Sequence, residues 1–165
     1  MNTKPYKVLF VCTGNVCRSP IAEGILRALL HERRIHGIQV ASAGVMATDG
    51  REPEPFAVSI SRQNGVDISL HRSMMLTRAM LDEADLVLTM EKMQYLYARG
   101  MIPQARDKVF LLAGFGRRNI EGEIDDPIAR DIEAYEDCFA MLKIEIQRIL
   151  PLIIRRAQKK AHEDK

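Results

Sequence analysis

Apolar positions along the chain fall into short unbroken runs that alternate with helically spaced stripes. Residues 7–11 (Lys-Val-Leu-Phe-Val) show no polar alternation beyond Lys7, so they read as a strand covered on both faces. Ser19-Pro20 marks a helix start, serine being able to cap and proline suiting the first turn. Ile21, Ala22, Ile25, Leu26, Leu29 and Leu30 then recur at helical spacing, and Gly37 closes the segment. Residues 38–43 read as a second strand ending at Gly44, and 45–55 as a loop rich in Asp, Gly and Pro. Residues 56–64 form a helix ended by Gly65. Thr77 is placed to cap a short helix that runs to Glu83. Residues 85–90 give a third strand with a helix over 91–99 behind it, and 109–112 give a fourth. Residues 114–130 are irregular. Ile132, Tyr135, Phe139, Leu142, Ile146, Ile149 and Ile153 step by threes and fours, the signature of a long last helix. Pro151 is expected to kink or end that helix, and the charged segment 155–165 to fray. Strands alternating with helices imply an α/β fold of three layers, a parallel sheet with helices on both faces.

The 165 residues suffice for a sizeable core and are expected to form one domain, 1–165. A net charge of +2 gives no electrostatic case for nucleic acid or a membrane surface. No apolar run is long enough to span a bilayer, and no signal-peptide pattern follows Met1. Tryptophan is absent, which argues against a base-stacking platform. Three cysteines, an odd number, fit a reduced cytoplasmic protein better than a disulfide framework. His31 and His36 lack metal-ligand spacing, and Met74, Met75, Met80, Met90 and Met93 read as packing, so no metal or organic cofactor is expected.

The chemistry concentrates where the first strand meets the first helix, in Cys12-Thr13-Gly14-Asn15-Val16-Cys17-Arg18-Ser19-Pro20. Main-chain amides between a parallel strand and a helix N-terminus converge on whatever lies before them and favour anions, phosphate above all. Gly14 and Asn15 tolerate the left-handed backbone that such a nest needs. Arg18 offers a planar fork of donors matching two phosphate oxygens. Cys12, at the loop's first position, would touch the bound anion, and the same donors are expected to lower its thiol below the usual ~8.5. One loop thus holds a nucleophile and a site for phosphoryl oxygens. A leaving oxygen would still need an acid from outside the loop. Asp125-Asp126-Pro127 is the candidate, although Asp before Pro also starts ordinary turns. Taken alone, Ser19 reads equally as a helix cap, Ser42 as a turn residue, His71 as a satisfied histidine and Cys138 as core.

This loop closely resembles the phosphate loop of low-molecular-weight protein tyrosine phosphatases. The resemblance continues at Ser42-Ala-Gly44, His71-Arg-Ser73, residues 84–90 and Asp126-Pro127, and covers the chain to about Leu150. It implies a four-stranded sheet in the order 2-1-3-4 and a phosphotyrosine phosphatase that works through a cysteinyl-phosphate. Cys12, Arg18 and Asp126 would be catalytic, and Thr13, Gly14, Asn15, Val16, Cys17 and Arg18 would bind the phosphoryl group. Asn15, Ser19, Ser42 and His71 would hold the loop through hydrogen bonds. The second loop cysteine, Cys17, would pair with Cys12 under oxidation and shield it. The substrate cleft would be walled by Ile128 and by Met46 of the 45–51 loop. The family usually carries an aromatic residue after Asp-Pro, and Ile128 stands there instead. The partner implied is a phosphotyrosine protein; the sequence does not give an oligomeric state. A protein-arginine-phosphatase is the alternative, set second because Val16 offers no hydroxyl to a guanidinium. Arsenate reduction lacks its cysteines between Arg18 and Cys138, and a non-catalytic phosphate module would not need Cys12, Arg18 and Asp126 together.

Overall fold

The computed structural model describes residues 4–117 and 122–163. Strands β1 (Tyr6–Cys12), β2 (Ile38–Gly44), β3 (Leu86–Thr89) and β4 (Val109–Leu111) form one sheet. All its pairings are parallel and its order is β2-β1-β3-β4, as expected. The helices are α1 (Arg18–Glu32), α2 (Pro55–Gln63), α3 (Arg78–Glu83), α4 (Lys92–Met101) and α5 (Ile132–Glu163). A short 3-10 turn, Pro103–Lys108, precedes β4.

The two-residue period of β1 divides the interior in two. Tyr6, Val8, Phe10 and Cys12 point into one apolar cluster with residues of α1, α2 and α5. Leu9 and Val11 point into the other, against Leu81 of α3 and Ala98 of α4. Thr77 caps α3, its hydroxyl accepting from the Met80 amide at 3.2 Å. Asp131 caps α5, its carboxylate accepting from the Ala134 amide at 3.0 Å.

Three expectations need correction. Helix α5 does not stop at Pro151 but runs on to Glu163, through most of the segment expected to fray. Tertiary contacts hold this extension: Ile153 is fully buried, Arg156 lies over the rings of Phe110 and Phe115, and Lys160 Nζ binds the Asp85 carboxylate at 2.8 and 2.9 Å. Asp164 and Lys165 lie outside the described residues, as do residues 118–121 of the stretch read as irregular. Second, Ser19 lies inside α1, with Cys17 at the N-cap position, so its hydroxyl is not a cap. Third, Met74, Met75 and Met93 are exposed, and only Met90 of that group is fully buried.

Candidate active site

Residues 13–17 join the carboxyl end of β1 to α1, the end of a parallel sheet at which ligands bind. The loop is buried except for Thr13 and Gly14, which are half-buried. Asn15 sits at φ 55°, in the left-handed region that asparagine tolerates better than most residues. The neighbouring backbone clamps this shape. Val45 N donates to Cys12 O at 3.0 Å, Met46 N to Thr13 O at 2.9 Å and Glu54 N to Val16 O at 2.8 Å. Gly44 backs directly onto the loop: a β-carbon there would stand 2.5 Å from Thr13 O and 2.9 Å from Asn15 N.

Four residues expected to support the loop converge on it. Asn15 is fully buried. Its side-chain amide donates to Ser19 Oγ at 2.7 Å and Ser42 Oγ at 3.0 Å, and its carbonyl oxygen accepts from Met74 N at 2.8 Å. His71 Nε2 lies 2.9 Å from Asn15 O; that oxygen only accepts, so Nε2 carries the proton. Ser42 donates its own proton to Glu23. With Asn15 on one lone pair of Ser19, the single Ser19 proton has two acceptors in reach, Cys12 Sγ at 2.9 Å and, more distant, Ala43 O at 3.4 Å. Asn15 N donates to the same sulfur at 3.2 Å.

The Arg18 side chain is almost fully buried. Nη1 donates to Ile124 O at 2.8 Å and Nη2 to Asp126 Oδ2 at 3.0 Å, while Glu91 Oε1 stands 3.2 Å from Nη1. One guanidinium thus ties the loop to the Asp-Pro segment and to the turn that follows β3. Asp126 also accepts from Ile128 N at 3.1 Å, which fixes its carboxylate, whereas Asp125 is exposed and bonds to nothing among the described residues. Met46 and Ile128 are both exposed.

Complete burial pushes the Cys12 thiol up from its ordinary value. The Ser19 hydroxyl, the Arg18 charge and the Asn15 amide oppose that shift without overcoming it. The expected lowering is therefore not found, because burial outweighs these donors. Contact with the Cys138 thiol, followed by burial, holds the Cys17 thiol far above its ordinary range.

Glu91, Glu23 and Gln94 escape a reading of the sequence alone. Gln94 Nε2 donates to Thr13 Oγ1 at 3.0 Å and to Glu91 Oε2 at 2.9 Å, fixing both the loop and the carboxylate beside Arg18. The available signal for Glu91 is positional, since it stands just beyond the carboxyl end of β3.

A family model described as low molecular weight phosphotyrosine protein phosphatase matches residues 7–162. A probable low molecular weight protein-tyrosine-phosphatase EpsP from Ralstonia solanacearum is 36% identical over 146 residues, 88% of this chain and 94% of that protein. A protein-arginine-phosphatase from Geobacillus stearothermophilus is 37% identical over 145 residues, with the same coverage of 88% and 94%. The solved structure of the YwlE arginine phosphatase from Geobacillus stearothermophilus superposes with a TM-score of 0.81 at 34% identity, covering 98% of each chain.

Proposed function

The chain belongs to the low molecular weight phosphotyrosine protein phosphatase family, and from that membership we propose that it hydrolyses phosphotyrosine in proteins through a cysteinyl-phosphate. The observation that supports this most is the convergence on Arg18: one buried guanidinium adjoins a loop carrying a hydrogen-bonded thiol and, 3.0 Å away, a carboxylate on a separate segment. In this reading the loop amides of residues 13–18 and the Arg18 fork receive the phosphoryl oxygens, exchanging the guanidinium's carboxylate partners for phosphate. Cys12 Sγ attacks phosphorus in line, the bond to the tyrosine oxygen breaks, and Asp126 gives that oxygen its proton. The ionised Asp126 then takes a proton from water, which attacks the phosphocysteine and releases phosphate and thiolate. Ser19 and Asn15 N receive the sulfur's charge both before attack and after release. A reduced, cytoplasmic setting accords with three free cysteines, one of them the nucleophile.

A second reading, phosphoarginine hydrolysis, is favoured by the cleft walls. Met46 and Ile128 are aliphatic and exposed, and offer a tyrosine ring no aromatic face. Against it, Val16 is buried and has no hydroxyl for a guanidinium. Hydrolysis of an aryl phosphate by wild type, Cys12→Ser and Asp126→Ala tests the mechanism. Cys12→Ser should give no turnover. Asp126→Ala should lose about 10²–10⁴-fold, most with poor leaving groups, as expected for removal of a general acid. Equal rates in all three would overturn the proposal. A marked preference for a phosphoarginine peptide over its phosphotyrosine counterpart would select the second reading.

A further inference from the structure

A cavity of about 820 Å³ opens beside the first half of β2, and no residue of the phosphate loop lines it, nor do Glu91 and Asp126. That volume lies within the roughly 300–1,000 Å³ of small-molecule sites. Val8, Leu30, Ile35, Ile38 and Val40 give it an apolar lining. Its charged residues are three cations, Lys7, Arg27 and Arg34, against one carboxylate, Glu83. Lys7 Nζ is paired with Glu83 at 2.8 Å and Arg27 with Glu23 at 2.7 Å. Arg34 is exposed and has no such partner among the described residues.

The cavity also takes in a free edge of the sheet. Strand β2 is an outer strand, and its Gly44 bonds away from β1, Gly44 N to Met74 O at 2.9 Å and Leu76 N to Gly44 O at 2.8 Å. Main-chain groups alternate in direction along a strand, so Ser42, Val40 and Ile38 face the same way as Gly44. Among the described residues only Arg27 meets them, Nη2 donating to Val40 O at 2.8 Å. The amides of Ile38 and Val40 are left without an acceptor on this edge.

Arg34 carries the strongest signal. It sits at φ 54° just beyond α1, where Arg34 N donates to His31 O at 3.1 Å and Ile35 N reaches back to Leu30 O at 2.9 Å. Glycine closes a helix in this way without strain. Arginine holds the position instead, at a cost in stability, and places an unpaired guanidinium at the cavity. Strain retained at a residue that gains no contact from it points to a use for the side chain.

We propose that this cavity binds an organic anion. A flat apolar body lies on the aliphatic lining, and its acidic group is received by Arg34 and by the free edge amides of Ile38 and Val40. A second copy of the chain is the poorer occupant of this edge, since pairing β2 with itself would set Arg27 and Arg34 against their own counterparts.

The test titrates the intact protein, with saturating vanadate present to occupy the phosphate loop, using anilinonaphthalene sulfonate as the probe. One probe molecule should bind per chain, with amide NMR shifts centred on residues 31–41. The neutral analogue phenylnaphthylamine should bind at least about tenfold more weakly, as loss of a charge-assisted hydrogen bond predicts. Arg34→Gly should weaken the sulfonate by about tenfold while its urea midpoint stays at or above that of wild type. The glycine variant therefore tests the side chain without endangering the fold. Absence of saturable binding, shifts centred elsewhere, equal affinity for the neutral analogue, or Arg34→Gly binding as wild type does would each overturn the proposal. Binding here needs no turnover, so failure of the phosphatase reading would show separately, in the hydrolysis assay.

Discussion

Replacing Asn15 by alanine and, separately, by glycine divides the two roles this residue plays. Both variants lose the bonds to Ser19, Ser42 and Met74 N at 2.7, 3.0 and 2.8 Å. Taking about 1 kcal/mol for each buried bond gives roughly 3 kcal/mol. Alanine must also hold the φ of 55° without the local side-chain bonds that let asparagine tolerate it, which costs about 1–2 kcal/mol. Glycine escapes that cost but loses more freedom on folding, about 0.5–1 kcal/mol relative to alanine. Asn15→Ala should therefore lose about 4–5 kcal/mol, and Asn15→Gly should be the more stable of the two by roughly 0.5–1 kcal/mol. This inverts their order at an ordinary helix or strand position. Urea unfolding midpoints at matched slope measure both differences. Activity should fall in both variants, because Ser19 loses the partner that aims its proton at Cys12. An alanine variant as stable as the glycine variant, or either one within about 1 kcal/mol of wild type, would refute the account of a loop held by this side chain.

Other perturbations separate the remaining parts of the site. Glu91→Gln removes one of the two carboxylates on Arg18, so the positive charge felt at Cys12 Sγ rises and the thiolate is favoured. Iodoacetate should then alkylate Cys12 at lower pH than in wild type, and an unchanged or higher pH profile would show that Glu91 does not weaken the pull of Arg18 on the sulfur. Gly44→Ala should drive a methyl group into Thr13 O and Asn15 N, costing about 1–3 kcal/mol and weakening inhibition by vanadate; an unaltered vanadate affinity would count against it. Lys160→Ala should lower the unfolding midpoint by the equivalent of about 1 kcal/mol without affecting turnover, since its partner Asp85 precedes β3, at the end of the sheet opposite the loop.

The sheet and the phosphate loop are legible in the sequence because their signals are local. An unbroken apolar run is a covered strand wherever it lies, and glycine, asparagine and arginine at loop spacing carry their conformational and charge preferences with them. Glu91 and Glu23 are hidden for the opposite reason. A charged residue after a strand or on a helix reads as solvated until the fold brings a buried partner to it, Arg18 in one case and Ser42 in the other. The continuation of α5 past Pro151 is likewise tertiary. A proline inside a helix costs ~3 kcal/mol, and the contacts of Ile153, Arg156 and Lys160 that offset it come from distant segments. The direction of the Cys12 shift is hidden too, because donors can be counted in a sequence, whereas the extent of dehydration around the thiol cannot.

The clasp between Arg18 and Asp126 has a consequence for timing. The Arg18 fork and the Asp126 carboxyl occupy each other here, so neither is open to a phosphate or to its leaving oxygen while they are joined. On the proposed mechanism, opening the clasp releases the arginine fork to the incoming dianion and the carboxyl to the leaving oxygen in a single event. When phosphate departs, the carboxylate closes back onto the fork and helps to expel it, so the enzyme should be slow to retain its own product.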